Sequence, residues 1–200
     1  MLLLASASPR RRDLLTQAGF SFRVDSIPVV EDRQPGEEPA HLAQRLAREK
    51  AEAVFHARAK SLDRQDDPLL VLGADTIVVC DSEVLGKPVD DGDAVRMLHL
   101  LAGRTHQVIT GVCVITKAGI EVAAESTWVT MLNLSDEEIR AYVATGEPAD
   151  KAGAYAIQGQ ASRWIPHISG CYFNVVGLPI ALVNTMIVRA RHKLVLRTDS

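Results

Sequence analysis

The sequence predicts an α/β fold, because short apolar runs typical of strands alternate along the chain with amphipathic stretches typical of helices. Hydrophobic residues make up 47% of the 200-residue chain, which is enough for a core of ordinary size. The chain contains no internal repeat, low-complexity stretch or linker that would force a division. We therefore expect one domain over residues 1–200.

The first third of the chain predicts a strand, a helix, a short strand and a longer helix. The run LLLAS suits a buried strand, and SPRRRDLLTQAGF suits a helix with Ser8 as N-cap, Pro9 at the first helical position and Gly19 past its end. A short strand is expected near FSFRVDS. After an irregular acidic loop over residues 31–39, a long helix is expected over about residues 40–60.

The run LLVLGADTIVVC, residues 69–80, predicts a core strand with a carboxylate in its middle. Apolar and β-branched residues flank Asp75 on both sides. An ionised carboxylate in such surroundings is costly unless it meets a cation, a hydrogen-bond network or a raised pKa. We therefore expect a partner for Asp75 elsewhere in the chain.

The remainder of the chain continues the alternation. A turn, DSEVLGKPVD, precedes a helix over about residues 91–101, and two long strands, THQVITGVCVITK and GIEVAAESTWVTMLNL, meet at a hairpin over residues 117–119. Ser135 and Glu138 form a capping box for a helix that Gly146 ends. The segment EPADKAGAYAIQGQ is expected to be a loop that passes into a strand. A C-terminal helix that grades into a charged tail follows GCYFNVVGLP.

Charge and cysteine content restrict the class of protein. A net charge of -3 counts against duplex nucleic acid as the main partner and leaves room for a small phosphorylated ligand. Cys80, Cys113 and Cys171 lie far apart in apolar runs, so we expect buried thiols in a reducing compartment. The N-terminal apolar run is too short for a signal peptide, and no segment reaches the length of a membrane span. These observations predict a cytoplasmic protein.

Lys50 is unusual because it falls on the apolar face of the long predicted helix. With Leu42 at 0° and about 100° per residue, Lys50 lies near 80°, inside an arc of alanine, leucine and valine. Two interpretations stay open: its ammonium extends past the core edge into solvent, or it points at an anion in a pocket.

The first predicted helix offers a cluster of anion-binding groups at its N-terminus. Ser6 and Ser8 supply hydroxyls there, and Arg10, Arg11 and Arg12 supply guanidinium groups. Cations are unfavourable at this end of a helix, which suggests an anionic ligand such as a phosphate. The alternative is a solvated basic turn, since three adjacent arginines cannot all face one site.

Lys87 and several carboxylates complete the set of candidate groups. Lys87 lies in a tight turn between Gly86 and Pro88, where the spacing of a phosphate-binding P-loop is absent. Glu31 and Asp75 have the oxygen chemistry that a divalent cation prefers. The pair Glu147 and Asp150 has the same chemistry, with plain solvation as the alternative interpretation.

Seven motifs, in order over most of the chain, give a family resemblance: ASASPRR near the start, LAREKA at 46–51, GADTIV at 73–78, LGKP at 85–88, LAGRTHQVITGV at 101–112, EPADKAGAYAIQG at 147–159 and GCYFNVVGLP at 170–179. Together they resemble the Maf family of nucleoside triphosphate pyrophosphatases. The resemblance implies a mixed twisted sheet with flanking helices, in two lobes around a deep cleft, related to the inosine triphosphate pyrophosphatases. The form DKAGAYAIQG resembles the branch that acts on dTTP and UTP.

The resemblance also implies roles for individual residues. Asp75 is similar to the family's catalytic proton acceptor. Apart from the resemblance, the small residues Gly73 and Ala74 are expected to keep the strand end open so that Asp75 projects into a cleft. Glu31 and Asp75 are expected at a site for magnesium or manganese. By the same resemblance, Arg10, Thr76 and Gln158 are expected to bind substrate and to determine its choice, and Lys50 and Lys87 are expected to bind it in the pocket. Ser8 and Arg11 complete the expected substrate-binding residues because of their place at the start of the first predicted helix.

The chemistry of these groups suits hydrolysis of a nucleoside triphosphate to the monophosphate and pyrophosphate. The amide of Gln158 matches the N3–H and O4 edge of uracil or thymine, although it could turn over to suit cytosine. Removal of non-standard nucleotides from the pool is one use for this activity. A non-catalytic nucleotide-binding regulator of cell division is the alternative, and a homodimer is the commonest assembly to expect.

Overall fold

The computed structural model describes residues 1–62 and 69–198. Within those ranges the chain forms six α-helices: α1 (Pro9–Gln17), α2 (Pro39–Leu62), α3 (Asp91–Leu101), α4 (Asp136–Val143), α5 (Tyr172–Val176) and α6 (Ile180–Thr198). The strands of the same ranges are β1 (Leu2–Leu4), β2 (Arg23–Val24), β3 (Leu70–Cys80), β4 (Glu83–Leu85), β5 (Thr105–Thr116), β6 (Gly119–Thr130) and β7 (His167–Ser169). Short 3-10 helices occupy Glu147–Asp150, Ala152–Ala154 and Gln160–Trp164.

The strands of the described chain form one mixed sheet. Their order is β2-β1-β3-β5-β6-β7, and β4 pairs with β3 outside this path. β1 runs parallel to both of its neighbours, with Leu4 opposite Val24 on β2 and Leu72 on β3. β4 is antiparallel to β3, and β7 is antiparallel to β6. The predicted α/β class and mixed sheet are confirmed.

The chain divides into two compact units, which correspond to the two predicted lobes. The first unit comprises the described parts of Met1–Asp75, Thr110–Glu125 and Gly177–Ser200, and the second comprises Thr76–Ile109 and Ser126–Val176. Each unit has its own apolar core. Buried core residues of the first unit include Leu3, Ala47, Val71 and Cys113. Those of the second unit include Val78, Leu98, Met131, Tyr142 and Trp164.

In the first unit, α2 lies directly against the backbone of the sheet. A Cβ atom at Gly73 of β3 would lie 2.1 Å from the carbonyl oxygen of Ala47, and one at Gly111 of β5 would lie 2.1 Å from that of Ala43. No side chain larger than hydrogen fits at either glycine without moving the helix. Both alanines are fully buried. The small-residue face of α2 therefore fixes the helix close to β3 and β5.

Local sequence signals account for where several helices begin. The side chain of Asp90 accepts a hydrogen bond from the Asp93 N–H and caps α3. Ser135 and Glu138 form the predicted capping box of α4. The prediction for α1 is correct in position, but the Ser8 side chain makes no capping hydrogen bond. Instead the Ser8 N–H donates to Ser6 Oγ over 3.3 Å.

Two predicted segments differ from the structure. The turn predicted for residues 81–90 contains β4, because Asp81 adopts a left-handed conformation (φ 53°) and reverses the chain within two residues of β3. The segment predicted as a loop passing into a strand, residues 147–160, forms 3-10 helices and a turn instead. Gly153 and Ala154 have φ values of 69° and 59°, which break any extended run. The predicted charged tail continues α6 as far as Thr198.

The cysteines and the helices bear on the predicted setting of the protein. Cys80 and Cys113 are buried and Cys171 is partly exposed, and none of the three forms a disulfide. Burial raises the pKa of the Cys113 thiol to about 12. Across residues 1–62 and 69–198, no helix combines the length and the apolar character that crossing a bilayer requires.

Candidate active site

Asp75 lies in the middle of β3 and is only 7% exposed. Burial raises the pKa of its carboxyl group above the ordinary value, although the positive charges of Lys50 and Arg11 act in the opposite direction. The expectation that the strand opens at Gly73 and Ala74 is wrong, since β3 continues to Cys80. Gly73 instead allows α2 to pack directly against the backbone of β3.

Lys50 of α2 supplies the cation that the sequence requires opposite Asp75. Its Nζ lies 2.6 Å from Asp75 Oδ1 and 2.6 Å from Glu31 Oε1. The Lys50 side chain is 15% exposed, whereas that of Glu31 is 52% exposed. The ammonium of Lys50 therefore does not extend into solvent. It points at anions, as in the second interpretation from the sequence, but these anions are carboxylates of the protein.

The close packing at Gly73 explains why Lys50 reaches Asp75. Ala47 contacts the strand at Gly73, and Lys50 follows Ala47 by three residues, so it lies on nearly the same face of α2. Asp75 follows Gly73 by two residues and therefore lies on the same face of β3. The contact between helix and strand thus sets the distance between the ammonium and the carboxylate.

Arg11 is buried beside this ion pair and donates hydrogen bonds to other groups of the first unit. Its Nε donates to the Gly177 carbonyl over 2.9 Å, and its Nη1 donates to the Ala74 carbonyl over 2.8 Å and to Ser6 Oγ over 3.1 Å. Desolvation lowers the pKa of Arg11, while the charge of Asp75 raises it. Arg11 therefore fixes the backbone immediately before Asp75.

The other arginines of α1 take different positions. Arg10 is half-buried, and its positive charge contributes to lowering the pKa of Arg11. Arg12 is 59% exposed and lies 3.6 Å from Asp13. The three arginines do not face one place, which is the outcome that helical geometry requires. Ser8 is half-buried at the start of the helix.

The remaining candidates lie in the second unit. Thr76 follows Asp75 along β3 and is half-buried, while Lys87 and Gln158 are exposed. The Gly153 N–H donates to the Gly86 carbonyl over 3.0 Å. This bond brings the turn that carries Lys87 next to the segment that leads to Gln158.

A divalent cation fits the first unit only if substrate supplies part of its coordination. Glu31 and Asp75 converge on the same ammonium, so their oxygens form a two-carboxylate donor set. No group of three or more His, Cys, Asp or Glu side chains suited to a metal occurs within residues 1–62 and 69–198. Two carboxylates completed by phosphate oxygens are a common arrangement for Mg²⁺.

Two polar residues of the second unit, the buried His106 and the half-buried Glu147, make contacts that the sequence did not predict. His106 is fully buried, and its Nε2 shares a hydrogen bond of 2.8 Å with the Tyr155 hydroxyl. Glu147, for which solvation was the alternative, accepts hydrogen bonds from Tyr142 and from the backbone of Gln160. A histidine inside an apolar strand and a tyrosine near a carboxylate are signals in the sequence, but neither identifies its partner.

Comparison with known proteins assigns the chain to a family. The family model described as Maf-like protein matches residues 1–190. A dTTP/UTP pyrophosphatase of Koribacter versatilis is 53% identical over 189 residues, which cover 94% of each chain. One of Syntrophomonas wolfei is 51% identical over 93% of this chain and 95% of its own. A solved structure of the Staphylococcus aureus Ham1 protein overlaps 66% of this chain and 72% of its own, at 14% identity and a TM-score of 0.41. With a family model matched almost end to end, and relatives that share half of its residues, the chain belongs to the Maf family.

Proposed function

We propose that this chain hydrolyses nucleoside triphosphates, with dTTP and UTP preferred, to the monophosphate and pyrophosphate. The observation that carries the proposal is the buried Asp75 carboxylate, held 2.6 Å from Lys50 Nζ beside Glu31. The names of the relatives, dTTP/UTP pyrophosphatases, support the choice of substrates. Removal of non-standard nucleotides would be one use of the reaction.

Asp75 acts in this proposal as the general base. It accepts a proton from a water molecule whose oxygen forms a bond to the α-phosphorus, while the bond from that phosphorus to the α-β bridging oxygen breaks and pyrophosphate leaves. Because burial raises the pKa of Asp75, its ionised form is a stronger base than an exposed aspartate. Arg11 holds the preceding carbonyl and so orients the base.

The cations of the first unit would offset the negative charge of the phosphates. The ammonium of Lys50 already forms ion pairs with two carboxylates, and in this proposal it would also bind a negatively charged oxygen of the triphosphate. We propose phosphate contacts for Arg10 and Ser8 as well, on the basis of their place at the start of α1. Glu31 and Asp75 would hold magnesium or manganese, which when bound would neutralise charge on the phosphate oxygens.

Residues of the second unit would contribute to binding and substrate choice. We propose that Gln158 recognises the base, since its amide offers one donor and one acceptor to the N3–H and O4 of uracil or thymine. Thr76, which follows Asp75 along β3, would also contribute to substrate choice, and Lys87 would bind phosphate. CTP is the informative competitor, because an amide that turns over could also match cytosine.

The test is pyrophosphate release from dTTP and UTP in the presence of Mg²⁺. Asp75→Asn keeps the size of the side chain but removes the base, and should lower kcat by about 100-fold or more. Asp13→Asn makes the same chemical change at a side chain that is 61% exposed and should leave kcat unchanged. Circular dichroism and thermal unfolding would verify that both variants fold.

The alternative function is a nucleotide-binding regulator of cell division without turnover. A wild-type protein that binds dTTP and UTP but releases no pyrophosphate would favour this alternative and contradict hydrolysis. The relatives' names favour the enzyme. We further propose action in the cytoplasm, which the three free cysteines support. A homodimer stays a prediction, to be tested by light scattering.

A further inference from the structure

Gln158 lies in a tight turn of the second unit. The Gly159 N–H donates to the Ala156 carbonyl over 3.0 Å, which closes a four-residue turn over residues 156–159. Gln158 occupies the third position of this turn, and its side chain is exposed. The direction of its amide therefore depends on how firmly the two ends of the turn are held.

The first end of the turn is held by a buried tyrosine. The Ala156 N–H donates to the Tyr142 hydroxyl over 3.2 Å, and this hydroxyl donates in turn to Glu147 Oε1 over 2.7 Å. Tyr142 is 1% exposed and packs edge-to-face on Trp164, with the ring centroids 5.2 Å apart. Because the ring is fixed by this packing, the hydroxyl is a rigid acceptor for the turn.

The second end of the turn is held by the Glu147 carboxylate. The Gln160 N–H donates to Glu147 Oε1 over 3.1 Å and to Oε2 over 3.2 Å. A Cβ atom at Gly159 would lie 2.2 Å from Oε1, so the glycine is what admits the carboxylate to this place. A carboxylate that accepts from both the backbone and Tyr142 forms charge-assisted hydrogen bonds, which are the stronger kind.

We propose that Tyr142 and Glu147 are positioning residues for base recognition, because together they hold both ends of the turn that carries Gln158. This inference rests on the proposed function, in which Gln158 contacts the base. Neither residue needs to touch the nucleotide. Their effect on catalysis should pass entirely through Gln158, and this distinguishes positioning from a general contribution to folding.

A double-mutant cycle tests this dependence. Gln158→Ala in the wild-type background should lower kcat/KM for UTP by about tenfold or more, mostly through KM, since a base-reading amide is lost. Tyr142→Phe keeps the ring and removes only the hydroxyl, and Glu147→Gln keeps the shape and removes the charge. In either background Gln158→Ala should cost less than about threefold, because the amide is already misplaced.

The matched control is Ser135→Ala, which removes the N-cap of α4, the helix that carries Tyr142, without touching the turn. In this background Gln158→Ala should keep its full tenfold cost. Thermal unfolding of every variant verifies folding. Tyr142→Phe and Glu147→Gln are made as separate proteins, so if one fails to fold the other still decides.

Each outcome decides a separate question. A full cost of Gln158→Ala in both the Tyr142→Phe and Glu147→Gln backgrounds overturns the positioning role and leaves the proposed hydrolysis intact. The absence of any cost in the wild-type background overturns it as well. If the wild type binds UTP but releases no pyrophosphate, the proposed function fails, and the same cycle measured on the Kd for UTP decides the positioning role.

Discussion

The buried histidine of β5, His106, should make the free energy of unfolding of this protein depend on pH. His106 is 0% exposed, and its Nδ1 has no hydrogen-bond partner among the described residues. Burial lowers the pKa of His106 from 6.5 to about 4. The imidazole therefore stays neutral in the folded protein at pH values where the unfolded chain is already protonated.

The sign and size of the effect follow from this difference in pKa. Between pH 6.5 and pH 4 the unfolded state binds more protons than the folded state, so the free energy of unfolding falls as the pH falls. At about 1.4 kcal/mol per pKa unit, His106 should remove about 2 kcal/mol of stability between pH 7.5 and pH 5, and about 3 kcal/mol by pH 4. This stability is fully present above pH 6.5.

The assay is urea unfolding of the wild type and His106→Gln at pH 7.5 and pH 5. Glutamine retains a nitrogen that can hydrogen-bond to Tyr155 but has no proton to gain in this range. Other titrating groups are common to both proteins and cancel in the comparison. The wild type should lose about 2 kcal/mol more than the variant. The exposed His192 provides the control substitution, His192→Gln, which should retain the wild-type pH dependence.

An equal loss of stability in wild type and His106→Gln would contradict this pH dependence. It would mean that the folded protein accepts the proton, either by opening around β5 or by admitting water to Nδ1.

Two further predictions concern α2. Lys50→Met should leave the fold intact and lower kcat/KM for UTP by about tenfold or more. It should also move the acidic limb of the pH profile to higher pH, because the positive charge of Lys50 lowers the pKa of Asp75. Steady-state kinetics from pH 5 to 9 would measure both effects, and an unchanged profile would contradict the role of the ion pair. Gly73→Ala should destabilise the protein by about 1 to 3 kcal/mol or more, since the added methyl meets the Ala47 carbonyl. Gly86→Ala, with nothing within 4 Å of the added methyl, is the control in urea unfolding.

The helices α1, α2, α3, α4 and α6 were predictable from the sequence because their signals are local, whereas α5 was not predicted. The capping box at Ser135 and the apolar spacing of α3 act within one or two turns of chain. β4 was not, since three residues give too little alternation to distinguish a strand from a turn. The conformation of the segment around Gly153 was also not predicted, for a different reason. Its conformation is decided by bonds to distant residues, such as that of Tyr155 to His106.

The candidate site was predictable in its composition but not in its geometry. The need for a cation opposite Asp75 follows from burial alone, and the helical arc places Lys50 on the correct face. The sequence does not reveal that Glu31 shares the ammonium of Lys50, or that Arg11 donates hydrogen bonds to the backbone carbonyls of Ala74 and Gly177. These contacts join segments far apart in the chain, where spacing carries no information.

The backbone contacts of α2 at Gly73 and Gly111 have a consequence for how this protein could be altered. Two alanine carbonyls set against two glycines leave α2 no freedom to slide, and a shift of one helical turn would move it by about 5.4 Å. The position of the α2 main chain therefore places the Lys50 ammonium next to β3, and only the rotamer of the Lys50 side chain can change. Because the charge of Glu31 contributes to raising the pKa of Asp75, substitution at Glu31, whose side chain is exposed, should lower this pKa while the helix and strand stay in register.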